Sequence, residues 1–274
     1  MFKEILENVN AKKPLVHCIT NYVTVNDVAN ILLACGGSPI MADDIGEAEE
    51  ITSICSGLYI NIGTLNERTI RSMLASGKKA NSLGKITVLD PVGAGASALR
   101  TSTAFELLRQ VAFSVIRGNI SEIRTIAQGA GTTKGVDADA GDAVTEGNLD
   151  RNVSFAKELS EKTGSVIAVS GAIDIVADSR RAFIIRNGHA LMSKITGTGC
   201  MLTGVIAAWC AANPEKLPEA AAAAVCAMGL CGELAYDKLV KSDGGTSSYR
   251  TGLIDSMSKM TPDVLQGGAR IEIK

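Results

Sequence analysis

Short apolar runs rich in β-branched residues recur along the chain and alternate with longer stretches whose apolar residues follow helical spacing. A parallel strand is buried on both faces, so it is apolar throughout rather than alternating in polarity. Strands that alternate with helices therefore predict a mainly parallel sheet with helices on both faces. The predicted strands are PLVHC, SPIM, LYINIG, ITVLD, FSVIRGN and SVIAVSG, and the predicted helices are Val25 to Cys35, Leu65 to Leu83, Thr103 to Gln110 and Asn152 to Lys162.

The pattern changes after Ser170, where IDIVADSRRAFIIRNGHALMSK contains short β-rich runs joined by polar residues. Asn-Gly pairs favour the two-residue turns of β-hairpins, so we expect a hairpin turn at Asn187-Gly188. An antiparallel edge of the sheet is predicted there. Apolar helices after Gly199 and after Pro218 are expected to complete one face of the sheet.

The length of 274 residues suits a single α/β domain, and no low-complexity linker or internal repeat divides the chain, so one domain over residues 1–274 is predicted. The formal net charge of -2 gives no basic excess, so no nucleic-acid partner is expected and a small molecule is favoured. The Gly- and Asp-rich segment GAGTTKGVDADAGDAVTEGN, which begins at Gly129, is predicted to be a mobile surface loop.

Features of the chain that bear on location favour the cytoplasm. The Ala-rich run from Ala220 to Cys231 is shorter than the roughly 20 residues of a membrane span, so a buried helix and no membrane are expected. The opening MFKEILENVNAKKPL mixes acids with bases, unlike a secretory signal. Seven cysteines without a Cys-x-x-Cys pair suit a reducing compartment. With only His17 and His189, a His-rich metal site or a serine triad is poorly supported, while Cys-His catalysis stays open.

Polar residues that follow the predicted strands are the candidate site. In doubly wound sheets, ligands bind beyond the carboxyl ends of the strands, so these residues are expected to meet. They are Asp90 in VLDPVGAG, Arg117, Asn119 and Glu122 in VIRGNISEI, and Ser170 in VSGAID.

The segment TGTGCMLTGVIAAWC is a glycine-rich turn that becomes an apolar helix. Backbone N–H groups at a helix start attract an anion, and phosphate is the first candidate. Gly197, Thr198 and Gly199 are thus predicted to form an anion hole, with the Thr198 hydroxyl as a further donor. The alternative is that these glycines only start a buried helix. A helix N-terminus also lowers the pKa of a thiol, which favours a partial thiolate at Cys200, whereas adjoining phosphates would oppose that charge.

Two nucleotide chemistries compete for these residues. The segment GAGASA, Gly93 to Ala98, fits the dinucleotide-binding pattern, but no ribose-binding acid follows between Leu108 and Asn119. Phosphoryl transfer accounts for more of the site, since Asp90 and Glu122 could hold magnesium while Arg117 contacts a triphosphate. Each residue alone also has a structural alternative: Asp90 in a turn, Glu122 as a helix N-terminal acid, Arg117 in an ion pair and Asn119 as a helix N-cap.

The motifs PLVHCITNYVTVNDVAN, GGSPIMA, NIGTL, LDPVGAGA, IRGNISEI and TGTGCMLT occur in this order over nearly the whole chain. Together they resemble the hydroxyethylthiazole kinase family of the ribokinase-like superfamily. The resemblance implies a three-layer fold and transfer of the ATP γ-phosphate to the primary hydroxyl of 5-(2-hydroxyethyl)-4-methylthiazole, with Mg²⁺, in thiamine biosynthesis or salvage. It also implies a homotrimer with thiazole sites at the subunit interfaces.

The resemblance further implies residue roles. Sugar kinases of the superfamily usually carry Asp as the base where Cys200 stands, so Cys200 is the expected catalytic residue and could orient the hydroxyl more than deprotonate it. The predicted thiazole contacts are Met41, Gly197 and Asn21; the predicted ATP contacts are Arg117, Ser170 and Asn119; the predicted magnesium ligands are Asp90 and Glu122.

The sequence leaves two alternatives to this interpretation open. One is a related kinase acting on the hydroxymethylpyrimidine half of thiamine, against which Cys200 and Met41 argue. The other is a binding protein for a nucleotide or vitamin precursor that keeps the fold without turnover.

Overall fold

The computed structural model describes residues 2–127 and 143–274. In this part of the chain nine strands form one sheet in the order β2-β1-β3-β4-β5-β6-β7-β8-β9, and the pairings from β2 to β6 are parallel. The strands are β1 Leu15–Ile19, β2 Ser38–Ile40, β3 Gly57–Asn61, β4 Ile86–Asp90, β5 Val115–Asn119, β6 Val166–Ser170, β7 Asp174–Ala177, β8 Ala182–Ile185 and β9 Ile271–Ile273.

Helices cover both faces of the sheet, as the alternation of strands and helices predicts. The segment that the apolar pattern placed at Val25 to Cys35 is a helix ending at Ala34, and the other predicted helices are also present with shifted ends. The helices are α1 Phe2–Lys12, α2 Val25–Ala34, α3 Ala48–Ile54, α4 Glu67–Ser82, α5 Ala98–Gln110, α6 Ile120–Ala127, α7 Leu149–Thr163, α8 Thr198–Ala212, α9 Leu217–Leu239, α10 Thr246–Ser258 and α11 Pro262–Gly268.

Consecutive residues of one strand pack into different halves of the core. Val88 of β4 joins the apolar cluster of α1, α2, α8 and α9, whereas Leu89 joins the cluster of α4, α5, α6 and α7. Because successive side chains of a strand point to opposite faces, this division is what a sheet between two helical layers requires. The three-layer arrangement with a mainly parallel sheet is thereby confirmed.

Helix α9 passes through the interior of the protein. The segment Pro214–Leu239 is long and apolar enough to cross a membrane by length and composition, but 72% of its most apolar window is buried within the fold. Its Ala220 to Ala224 run is fully buried and packs with α8. Such burial is typical of a core helix, as predicted for this segment.

The antiparallel edge is confirmed, but the predicted hairpin turn at Asn187-Gly188 is wrong. Strands β7 and β8 are joined at Asp178 instead, whose N–H donates to the carbonyl oxygen of Arg181 over 3.1 Å. The side chain of Asn187 is buried, donating to the Gly268 carbonyl over 2.9 Å and accepting from the Arg270 N–H over 2.8 Å. These tertiary contacts hold Asn187, which follows β8, beside the residues that precede β9. After Gly188 the chain continues into a short 3₁₀ turn, Ala190–Lys194.

The predicted mobile loop from Gly129 falls mostly outside the described residues. Its last residues are described and include the 3₁₀ turn Glu146–Asn148, which leads directly into α7.

Candidate active site

The parallel register places the polar strand ends side by side. Asn61 of β3 pairs in register with Asp90 of β4, and Asn119 of β5 pairs with Ser170 of β6. Because parallel strands end at the same edge of the sheet, these side chains gather there, and the start of α8 lies against them. The sequence-based prediction that the strand-end residues meet is borne out by this geometry.

Asp90 is fully buried at the centre of this edge, and its two carboxylate oxygens differ in their hydrogen bonding. Oδ2 accepts hydrogen bonds from the Thr203 hydroxyl over 2.8 Å and from Asn61 Nδ2 over 3.2 Å, and lies 3.5 Å from Nη1 of Arg117. Oδ1 has no hydrogen-bond partner among the described residues. Burial raises the pKa of Asp90, although the Arg117 charge and the hydrogen bonds from Thr203 and Tyr59 oppose the shift.

Arg117 links Asp90 to the helix start. Its Nη2 donates to the Ser170 hydroxyl, and its guanidinium packs against Gly199 so closely that a Cβ there would lie 2.5 Å from Nη1. Only a residue without a side chain permits this approach. The buried cation therefore faces both a carboxylate and the first turn of α8.

Glu122 and Asn119 form a reciprocal cap at the start of α6. The Glu122 carboxylate accepts from the N–H groups of Gly93 over 2.9 Å and Asn119 over 2.8 Å, and Asn119 Oδ1 accepts from the Glu122 N–H over 2.9 Å. This is the capping-box arrangement, so the helix-cap alternative holds for Asn119. Burial, then the nearby Asp90 charge, raises the pKa of Glu122, which means that the two carboxylates repel each other.

The acidic pair fits a magnesium ion rather than a structural metal centre. Within residues 2–127 and 143–274, no three His, Cys, Asp or Glu side chains are grouped to hold a metal. Magnesium commonly takes one or two protein carboxylates and completes its shell with water and substrate phosphates. The unpartnered Oδ1 of Asp90 and the repulsion between Asp90 and Glu122 fit such an ion.

Cys200 lies in the first turn of α8 and is nearly buried. Its sulfur accepts hydrogen bonds from Nδ2 of Asn21 over 3.2 Å and from Nδ2 of Asn61 over 3.3 Å. Burial and the Asp90 charge raise the pKa of the thiol, outweighing these donors, which lower it. Desolvation and a neighbouring carboxylate therefore oppose the thiolate that the helix N-terminus favours.

The turn before Cys200 has the donors of an anion hole. Gly197 is the N-cap of α8 with a left-handed backbone (φ 85°), and a Cβ there would lie 2.5 Å from Cγ2 of Thr24. The N–H groups of Thr198, Gly199 and Cys200 donate to no acceptor in the part of the chain that the structure describes. The Thr198 hydroxyl approaches the Met192 carbonyl at 3.4 Å. This contact is long, so the hydroxyl remains able to turn toward an anion.

Two cavities lie at this edge of the sheet, and Arg117 and Gly199 line both of them. The larger, about 520 Å³, is also lined by Ser170, Thr198 and Asp174. The smaller, about 320 Å³, contains Asn21, Asn119, Glu122, Gly197 and Cys200. Of the predicted ATP contacts, Arg117 and Ser170 thus lie in the larger cavity, whereas Asn119 lies on the side of Cys200.

Met41 does not lie with the other predicted site residues. It follows the edge strand β2, its side chain is 36% exposed, and it lines neither cavity. A residue in this position reaches a ligand only if the ligand or another subunit extends to the outer edge of the sheet.

Three residues that contact the site were not singled out from sequence. Asn61 and Tyr59 lie on β3, where the Tyr59 hydroxyl donates to the Cys200 carbonyl over 3.1 Å, and Thr203 lies one turn beyond Cys200. The signal for Asn61 was present in NIGTL, because it is a polar residue at a strand end. No pattern identifies Tyr59 or Thr203, whose partners are distant in sequence.

The fold is that of the ribokinase-like class. A solved structure described as a ribokinase-like superfamily protein from Enterococcus faecalis superposes with a TM-score of 0.63 at 15% identity, covering 94% of this chain and 95% of that one. The two chains therefore share this fold.

The chain belongs to the hydroxyethylthiazole kinase family, whose profile matches residues 6–263. The hydroxyethylthiazole kinase of Clostridium acetobutylicum is 61% identical over 272 residues, or 99% of each chain, and that of Desulfovibrio desulfuricans is 51% identical over 100% of this chain and 98% of its own. The solved structure of the Pyrococcus horikoshii hydroxyethylthiazole kinase superposes with a TM-score of 0.87 at 34% identity, covering 100% of this chain and 98% of that one.

Proposed function

We propose that this protein, as a single kinase domain over residues 1–274, transfers the γ-phosphoryl group of ATP to the primary hydroxyl of 5-(2-hydroxyethyl)-4-methylthiazole. The reaction belongs to thiamine biosynthesis or salvage. The observation that carries the proposal is the position of Cys200, which lines the smaller cavity, while Thr198 of the same helix turn lines the larger cavity and Gly199 lines both. An acceptor alcohol and a triphosphate would meet at this turn.

The nucleotide is assigned to the larger cavity. Arg117 and Ser170, two of the predicted ATP contacts, are hydrogen-bonded to each other in its wall. Arg117 would neutralise charge on the terminal phosphates, and the N–H groups of the Gly197–Cys200 turn would receive the oxygens of the transferring group. The assignment of Asn119 to ATP is retained as a weaker part of the proposal, since its side-chain oxygen already caps α6.

The alcohol is assigned to the smaller cavity with its hydroxyl at Cys200. A thiol with a raised pKa is neutral at pH 7, so Cys200 orients the hydroxyl rather than removing its proton. Phosphoryl transfer through a loose transition state needs little proton removal at the start, so an orienting group suffices. Asn21 and Asn61 hold the sulfur in place. Gly197 and Asn21 would contact the ring.

Asp90 and Glu122 would hold magnesium, which supplies charge neutralisation at the β- and γ-phosphate oxygens when bound. Asp90 itself is kept in one orientation by Thr203 and Asn61, and its Oδ1 is left available. Replacing Asp90 with Asn should therefore weaken magnesium binding to the enzyme, measured directly by titration with Mn²⁺ as a paramagnetic substitute, as well as slow turnover.

We further propose a cytoplasmic homotrimer with thiazole sites at the subunit interfaces. Met41 supports this assembly, because it is a predicted thiazole contact that lines neither cavity of the single chain. A neighbouring subunit that supplied or received Met41 would complete the pocket. Sedimentation equilibrium of the purified protein tests the trimer, and a monomer with full activity would contradict it.

A coupled assay for ADP release tests the activity. The protein is given Mg-ATP with hydroxyethylthiazole, hydroxymethylpyrimidine or one of a panel of sugars. Turnover with the thiazole alcohol and none of the others is expected. Turnover with only the pyrimidine alcohol would place the protein in the alternative kinase class, and binding of the alcohol without turnover would indicate a non-catalytic binding protein.

A further inference from the structure

A second arginine lines the smaller cavity, and the roles described so far do not use it. Arg100 lies in the first turn of α5, three residues after the N-cap Ser97. Its side chain borders the same cavity as Arg117, Gly197 and Cys200. It does not line the larger cavity, where two of the predicted nucleotide contacts, Arg117 and Ser170, lie.

The main chain fixes the position of the Arg100 guanidinium. Nη2 donates to the Gly63 carbonyl over 2.7 Å. On the other side lies Gly93, where a Cβ would come within 2.2 Å of Nη1 and where the backbone is left-handed (φ 71°). Both the close approach and the conformation require glycine. The N–H of Gly93 in turn donates to Glu122, so one glycine contacts both charged side chains.

The charge of Arg100 is not matched by a carboxylate. No Asp or Glu oxygen lies within 4.0 Å of its guanidinium in the described part of the chain, and the contact with Gly63 uses one of its five N–H donors. Arg117 differs, because Asp90 and Ser170 already engage it. A fixed guanidinium with unused donors at a cavity wall suits a phosphate group, which accepts paired hydrogen bonds from this side chain.

We propose that Arg100 binds the phosphate of the newly phosphorylated alcohol, on the acceptor side of the transfer. This inference rests on the proposed function. In the reaction the bond between the γ-phosphorus and the bridging oxygen breaks and that oxygen leaves with ADP, while the γ-phosphorus bonds to the alcohol oxygen and the hydroxyl proton passes to solvent water. The phosphoryl group then belongs to the ligand of the smaller cavity, where Arg100 balances its charge while Arg117 stays with ADP. Arg100 is thus a catalytic residue that favours transfer and holds the product.

Calorimetric titration of the alcohol and of its phosphate tests the assignment. The variants are Arg100→Gln, Arg100→Lys and, as a matched control, Arg109→Gln, which lies exposed on the same helix. We expect Arg100→Gln to weaken binding of the phosphate by about 10-fold or more and to lower kcat by about 100-fold, with binding of the unphosphorylated alcohol changed less than about 2-fold. Arg100→Lys should have a phosphate affinity and a kcat between those of the wild type and Arg100→Gln, because lysine keeps the charge but loses the paired donors.

An unchanged affinity of folded Arg100→Gln or Arg100→Lys for the phosphate would overturn the proposal. If the wild-type protein binds neither the thiazole alcohol nor its phosphate, the substrate assignment fails and inorganic phosphate tests Arg100 separately. Phosphate that raises the Tm of the wild type and of Arg109→Gln, but not of Arg100→Gln, supports the site. Equal shifts in all three proteins, or no shift in the wild type, overturn it.

Discussion

Nδ2 of Asn21 donates a hydrogen bond to the sulfur of Cys200 over 3.2 Å, although the two residues are 179 positions apart in the chain. Asn61 donates a second hydrogen bond to the same sulfur. A thiol between two amide donors is fixed in orientation and faces the smaller cavity. In the proposed reaction this contact decides where the acceptor hydroxyl lies.

Substituting Cys200 should separate orientation from proton removal. We expect Cys200→Ala to lower kcat by about 10- to 100-fold without abolishing turnover, because the N–H groups of the helix start remain. Cys200→Asp should retain activity or gain it, since Asn21 and Asn61 would then donate to a carboxylate able to act as a base. Steady-state kinetics of both folded variants measure this. Complete inactivity of Cys200→Asp as a folded oligomer would contradict the account.

Gly199→Ala should disturb the site by displacing Arg117. The new Cβ would lie 2.5 Å from Nη1 and 2.8 Å from Nη2, so the guanidinium must move away from the helix start. We expect the KM for ATP to rise by about 10-fold or more. Gly204→Ala in the same helix is the control, because its Cβ would make ordinary contact, 3.4 Å from Val28. Equal KM values in the two variants would show that Arg117 does not position the nucleotide.

A substitution far from the site should affect stability alone. Gly77 of α4 packs on Val111 so that a Cβ would lie 2.5 Å from Cγ2 of that valine. Gly77→Ala is expected to destabilise the protein by about 1–3 kcal/mol through overpacking, with unchanged kcat per folded molecule. Urea unfolding measures the loss. The double variant Gly77→Ala with Val111→Ala should lose less than the sum of the single changes, and strict additivity would refute the contact as the cause.

The ionisation of Asp174 makes the stability of the folded protein depend on pH. Burial in the wall of the larger cavity raises its pKa from 3.8 to about 7, more than the Gly171 N–H and the Arg117 charge lower it. Because its pKa is raised, the folded protein favours the protonated form of Asp174. The stability that this carboxyl contributes is therefore complete below the unfolded-state pKa of 3.8 and is lost as the pH rises through about 7. The loss should therefore be larger at pH 8 than at pH 5.5.

Asp174→Asn should remove that loss, because the amide oxygen still accepts the hydrogen bond from Gly171. We expect its Tm to exceed that of the wild type by about 2–4 °C at pH 8, and by less at pH 5.5. Asp255→Asn, on the exposed side of α10, is the control for removing one negative charge. A Tm difference that is the same at both pH values would mean that Asp174 does not titrate in this range.

The sequence predicted the sheet and the helices around it because both follow from apolar periodicity. The predicted hairpin turn at Asn187-Gly188 is wrong, because contacts of Asn187 with Gly268 and Arg270 override the local turn preference. The C-terminal strand β9 and helices α1, α3, α10 and α11 were not predicted. Their positions are set by tertiary packing rather than by a strong local pattern.

Within the site, the strand-end rule predicted that Asp90, Glu122 and Ser170 lie at one edge of the sheet, since the register of a parallel sheet brings strand ends together. The raised pKa of Cys200 was not predictable, because it depends on burial and on the distance to Asp90, neither of which spacing encodes. The place of Met41 at the outer edge of the sheet likewise depends on three-dimensional arrangement.

The central claim is that the two cavities joined at Arg117 and Gly199 bring the ATP γ-phosphate to the hydroxyl of hydroxyethylthiazole. Phosphorus NMR of a reaction containing the protein, Mg-ATP and this alcohol tests it directly, since a phosphate monoester has its own resonance. The account predicts a monoester signal that grows in proportion to ADP and that, with ATP well below the wild-type KM, is at least about 10-fold slower with Gly199→Ala. ADP accompanied by inorganic phosphate alone, with no monoester, would contradict it.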